Sequence, residues 1–120
     1  MGVATLTLDD YFGDADRISV LKVDVEGAEL GVFAGAARIL RNRKPLLVFE
    51  CEGRHLNGGR MSDVFGYLSS LGYDGYFVLA GRLLPMPLFN EAIHQRRAGD
   101  WFWKRKDYCN NFIFSAEKIE

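Results

Sequence analysis

Cysteine, proline and long apolar runs are scarce in this chain of 120 residues, and each shortage excludes something. Two cysteines, Cys51 and Cys109, are too few for a disulfide framework, and neither lies in a CxxC that would suggest a redox or zinc centre. Both sit in apolar runs, so the expectation is two buried free thiols in a reducing compartment. The longest apolar stretches, Pro45–Phe49 and Tyr76–Ala80, are far too short to cross a bilayer. No basic segment followed by an apolar stretch marks a signal peptide, so a cytoplasmic, soluble protein is expected. Lys plus Arg number 15 against 16 Asp plus Glu, and a net charge of -1 offers no general attraction to nucleic acid or an anionic membrane. With 48% hydrophobic and 26% charged residues, the composition excludes disorder and collagen-like repeats. The length suits one domain with a single core.

What is present alternates between strand and helix signals. Ala4–Leu8 reads as a short extended entry, and Thr7 caps a turn over Leu8–Phe12 in a Thr7/Asp10 pattern akin to a capping box. Asp14–Arg17 reads as loop. Ile18–Val25 and Leu46–Cys51 are near-continuous apolar runs, as in parallel strands covered on both faces. Between them Leu30, Phe33, Ala37 and Leu40 make a helical stripe over about Ala28–Arg41, with a break expected near Gly35. Arg38, Arg41, Arg43 and Lys44 read as the solvated, dipole-matched end of that helix. Ser62 is placed as the cap of a second helix, closed by Gly72 in a left-handed conformation. Tyr73–Ala80 reads as a strand, turned by Gly81-Arg82 into a short hairpin with Leu83-Leu84, and Tyr108–Ser115 as the last strand. Pro85–Lys106 is the least regular part, with Asn90–Arg97 as a helical candidate. The order argues an α/β fold with right-handed crossovers, yet only about two βα units are present, half of a doubly wound sheet.

Acids crowd both early strand ends. The first closes as Lys22-Val23-Asp24-Val25-Glu26-Gly27-Ala28-Glu29 and the second as Phe49-Glu50-Cys51-Glu52-Gly53-Arg54-His55. A period of two puts Asp24 and Glu26 on one side, and Glu50 and Glu52 likewise on the neighbouring strand. Like charges this close cost stability, which cation binding, a cationic or hydroxyl-bearing ligand, or general-base work would repay. Glu26 and Glu29 are also explained as acids that simply open a helix. Gly27 and Gly53 suit tight turns that let a ligand approach the backbone. His55 is a base candidate near neutral pH, or a hydrogen-bonded structural histidine, and the same two readings apply to His94. Trp101, Phe102 and Trp103 read as core or surface packing, with cover over a pocket as the lesser reading, and Asn110-Asn111 as a turn or an amide offered to a ligand.

The strings Thr5-Leu6-Thr7-Leu8-Asp9-Asp10-Tyr11-Phe12 and Leu21-Lys22-Val23-Asp24-Val25-Glu26-Gly27-Ala28-Glu29 resemble the FkbM family of S-adenosylmethionine-dependent methyltransferases. Gly35-Ala36, Lys44-Pro45, Phe49-Glu50, Leu71-Gly72-Tyr73 and Asn110-Asn111-Phe112-Ile113-Phe114 extend the resemblance over nearly the whole chain. It implies a Rossmann-like class I methyltransferase acting on a hydroxyl of a small molecule, glycan or lipid. The likeness is to the C-terminal half, because no GxGxG-like cofactor loop follows an early strand. Residues 1–120 would then be one partial domain, a mixed sheet of about four strands with the last inserted antiparallel between its neighbours. The resemblance implies Asp24, Glu26, Gly27 and Glu29 as residues toward S-adenosylmethionine. Asp24, Glu26, Glu50 and His55 would be the catalytic candidates, with a cation held by Asp24 and Glu50 as a lesser option. Little catalysis is expected from the chain alone, and an exposed sheet edge would favour a homo-oligomer. The rival readings are a non-catalytic α/β interaction module and a small metal-dependent hydrolase with an acidic rim.

Overall fold

A computed structural model describes residues 7–13, 17–56 and 58–117. The expected extended entry before Thr7 and most of the expected Asp14–Arg17 loop lie outside these residues. Five strands form one sheet in the order β1 (Val20–Val23), β2 (Leu46–Glu50), β5 (Asn111–Ser115), β3 (Asp74–Leu79), β4 (Arg82–Pro85). β1 and β2 are parallel, β5 enters antiparallel between β2 and β3, and β4 hangs on β3 as a hairpin. The helices are α1 (Leu8–Tyr11), α2 (Glu29–Ala34), α3 (Ala37–Asn42), α4 (Met61–Ser70) and α5 (Glu91–His94). The sheet therefore has five strands rather than about four. The fifth is the second arm of the hairpin, whose turn sits at Ala80-Gly81, one residue earlier than expected, with both φ angles positive.

The helices pack on one face. Leu47, Phe49, Phe112, Phe114 and Phe77 point into the core with Phe33 and Leu40 from the α2–α3 pair and Leu68 from α4. Phe33 meets Phe49 edge to face at 5.0 Å, and Phe65 stacks on Phe114 at 5.7 Å. Alternation sends Val20, Leu46, Val48 and Ile113 to the opposite face, where Val20 is 57% exposed and the other three are partly exposed. One sheet with one helical layer makes a slab only 21 Å thick.

The helix break falls where it is expected, between α2 and α3, and has a packing cause. α1 crosses the gap: Asp9 N–H donates to Gly35 O at 2.9 Å, and the Asp9 carboxylate accepts from the N–H of Arg38 and Ile39 at 2.8 and 3.0 Å. α3 has no capping side chain of its own, so Asp9 supplies one from 29 residues away. Thr7 caps α1 as expected, accepting from Asp10 N–H at 3.1 Å.

Several expectations are corrected. Leu30 does not join the apolar stripe; it is 38% exposed, and Glu29 is buried in its place above Phe33, Ala36 and Leu40. Arg38 does not belong to a solvated helix end: it lies at the start of α3, and its guanidinium donates to the carbonyls of Asp9 and Phe12. Ser62 is not the cap of α4, whose N-cap is Arg60, with Asp63 accepting from Arg60 N–H at 3.2 Å. The last strand begins at Asn111, later than Tyr108, because residues 102–108 turn over the strand ends instead. Both cysteines are free and buried, as the sequence suggests. Among the described residues no helix is long and apolar enough to cross a membrane.

Candidate functional site

Parallel register sets the acids side by side. Val23 pairs with Phe49, so Asp24 leaves β1 beside Glu50, where β2 ends. Asp24, Glu26, Glu29, Glu50, Glu52 and His55 all line one void of about 10 Å³, room for a single water-sized group. The expected pairing of Glu50 with Glu52 holds in position but not in environment: Glu50 is exposed, whereas Glu52 is buried as the chain turns off the sheet. Gly27 is what lets the two strand-end loops touch. Its φ is +88°, and a Cβ there would stand 2.2 Å from the carbonyl oxygen of His55.

Glu29 opens α2 and turns into the protein, where it is 2% exposed. One carboxylate oxygen, Oε1, accepts from Gly27 N–H at 3.4 Å, while Oε2 is buried with no partner among the described residues. Burial raises its pKa above the ordinary 4.5, against the lowering pull of hydrogen bonds from its own and the Gly27 N–H and of His55. A buried carboxyl oxygen without a donor is a costly arrangement, and an N–H or O–H delivered into the void would relieve it.

Glu52 organises the other side. Its carboxylate accepts from the Tyr108 hydroxyl at 2.7 Å and from Arg54 Nε at 3.1 Å, and His55 Nδ1 stands 3.3 Å from Oε2. Burial first, and then the bond to Glu52, push the Tyr108 hydroxyl well above its usual pKa, so it stays a donor. The Arg54 guanidinium lies 4.6 Å from the Trp103 ring centre and 5.5 Å from that of Phe102, which fastens residues 102–108 over the turn. Gln95 ties the layers beneath: its amide donates to Cys51 O and Cys109 O at 2.8 and 2.9 Å and accepts from Gly53 N–H at 3.0 Å. A carboxylate facing Nδ1 favours the tautomer that carries its proton there and leaves Nε2 as the acceptor.

His94 is not at this rim. It ends α5, its Nδ1 accepts from Asn90 N–H at 2.9 Å, and its ring packs against Phe77 and Phe89. Asn111 pairs with Glu50 across the sheet and donates to Asn110. Of the aromatic trio, Trp101 is 61% exposed and only Phe102 and Trp103 reach the site, through Arg54. Gln95, Tyr108 and Arg54 carry the geometry yet lie in stretches without periodicity, where a lone polar residue gives no signal. No group of three or more His, Cys, Asp or Glu among the described residues is arranged to hold a metal ion.

The profile of the Methyltransferase FkbM domain matches residues 1–74, a span that contains both parallel strands, the acid string and α4. The chain belongs to the FkbM family. No curated protein and no solved structure matches it. The family match ends at the first residue of β3, short of the near full-length resemblance read from sequence. Family membership makes this a methyltransferase-type domain, and the acid void built by the FkbM string is its candidate active site.

Proposed function

We propose that this FkbM domain is the substrate-side part of an S-adenosylmethionine-dependent O-methyltransferase acting on a hydroxyl of a small molecule, glycan or lipid. The observation that carries the reading is the Glu52–His55 pair, a base with its orienting carboxylate, on the same void as Asp24 and Glu29. Carboxylates suit the positive sulfonium and ammonium groups of S-adenosylmethionine, and Glu29 Oε2 lacks a donor among the described residues; the void has no room for the adenosine, which would lie outside it. Asp24, Glu26, Gly27 and Glu29 would hold the cofactor's charged end. When bound, S-adenosylmethionine supplies an electrophilic methyl group on positively charged sulfur. His55 Nε2 takes the hydroxyl proton, Glu52 stabilises the resulting imidazolium, and Asp24 orients the acceptor, with Glu26 and Glu50 as further base candidates. Two buried thiols support a cytoplasmic setting.

The sheet face with Val20, Leu46, Val48 and Ile113, which carries no helix among the described residues, together with the β1 edge, supports a partial domain that a cofactor-binding half or a second copy would cover. The same bare face favours the second reading, a non-catalytic interaction module. Calorimetric titration of the 120-residue chain with S-adenosylmethionine, with its mass in solution, separates these. Micromolar saturation by a dimer means that the chain completes its own site. No heat from a monomer means that a further half is needed. In a form that transfers methyl groups, His55→Gln and Asp24→Asn should each lower turnover at least about 100-fold, and unchanged turnover in both would refute the site.

A further inference from the structure

A second, larger cavity of about 550 Å³ opens next to the acid void, within the range of small-molecule sites. The two adjoin across one peptide bond, since Glu52 lines the first and Gly53 the second. One wall is apolar: Phe65 and Phe89 meet edge to face at 6.0 Å and form a corner that fits a flat or aliphatic body. The lining also carries Arg60 and Arg97, against the single carboxylate of Glu91. Among the described residues neither arginine has a carboxylate within ion-pair distance, whereas Arg54 is spent on Glu52. Gly53 makes room for this arrangement, because a Cβ there would lie 3.1 Å from Arg97 Nη2 and 3.3 Å from Glu91 Oε1.

We propose that this cavity binds an anionic acceptor, one whose carboxylate or phosphate group is held by Arg60 and Arg97 while its apolar body lies on Phe65 and Phe89. Guanidinium groups grip such anions bidentately, and the aromatic corner excludes water from the contact. Arg97 stands at Gly53, so the anchored end of the molecule lies one peptide bond from Glu52, and a hydroxyl near that end is the one that would react. That the ligand is the methyl acceptor rests on the methyltransferase reading; that the cavity binds it does not.

The test uses the 120-residue chain without S-adenosylmethionine, titrated with phenyl phosphate and followed by amide chemical shifts and calorimetry. Saturable binding is expected, with shifts centred on Gly53, Gly59 and Ser62, and with inorganic phosphate and phenol each binding at least about tenfold more weakly. Arg60→Gln and Arg97→Gln, both at exposed positions, should each weaken phenyl phosphate at least about tenfold while the melting temperature holds. No saturation by about 10 mM, shifts confined elsewhere, or unchanged affinity in both variants would overturn the proposal. Phosphate binding as tightly as phenyl phosphate would overturn the aromatic half of it. If phenyl phosphate binds as expected but the intact enzyme transfers no methyl group, the site stands and the proposed activity falls.

Discussion

Replacing Gly27 with alanine separates the two things this residue does. At φ +88° an L-residue sits in the left-handed region, at a cost of about 1–2 kcal/mol. The added Cβ also meets His55 O at 2.2 Å, where ordinary contact begins at 3.4 Å, so the loops after β1 and β2 must part by about 1 Å. Forced separation of packed backbone costs a further ~1–3 kcal/mol, for a total of about 2–5 kcal/mol. Gly72 is the matched reference: its φ is +91° and nothing lies within 4 Å of its added Cβ, so Gly72→Ala carries the conformational cost alone. Urea unfolding of both variants should place Gly27→Ala lower by about 1–3 kcal/mol, or roughly 4–12 °C in melting temperature. In a methyl-transferring form, the same displacement moves His55 relative to Asp24 and should cost about 100-fold in turnover. Equal destabilisation of the two variants would show that the loops do not touch at Gly27, and the described site would fall with that contact.

Asp9→Ala should destabilise by about 1–3 kcal/mol, since it removes the cap and both acceptors at the start of α3, whereas Asp10→Ala, with an exposed carboxylate, should cost under about 1 kcal/mol. Chemical denaturation of the pair checks this, and similar losses would refute the remote cap. Burial raises the folded pKa of Glu29 above its unfolded value, so its contribution is full at low pH and is lost as pH rises through the folded pKa. Glu29→Gln should therefore gain in melting temperature relative to the parent chain as pH rises from about 4 toward neutrality; a gap that shrinks over that window contradicts the assignment. Burial, then the nearby Glu29, Glu91 and Glu52 carboxylates, push the Cys51 thiol up to about 12, so iodoacetamide at pH near 8 should label Cys51 only on unfolding. Rapid labelling of the native chain would show that the strand end is open.

Local chemistry was readable where it acts over a few residues. The near-continuous apolar runs place β1 and β2, Gly35 places the helix break, and parallel pairing of the two runs brings Asp24 and Glu50 to one sheet end. Reading failed where a distant partner decides. A glutamate does not pattern as a core residue, so the apolar stripe starts at Leu30 in the sequence although Glu29 is the one turned inward. Asp9 as a cap for α3 depends on a contact 29 residues away, and Gln95 on three backbone groups that meet only after β2 and β5 have paired. The cavity proposed to hold an anion has no sequence signal, since Arg60 and Arg97 lie 37 positions apart on no shared element and are brought to one cavity only by the fold.

The place of β5 has a bearing on how the molecule is made. It is the last of the five described strands in chain order, and among them the sheet joins β2 to β3 through it. While a ribosome is still extending the chain, the β1–β2 pair and the β3–β4 hairpin remain two separate pieces, and Phe49 and Phe77 wait for Phe112 to slot between their strands. A nascent chain stalled before Asn111 would display both halves of an unfinished sheet to chaperones and proteases. Supplied separately as a peptide, residues 107–117 are then a natural splint for rejoining them.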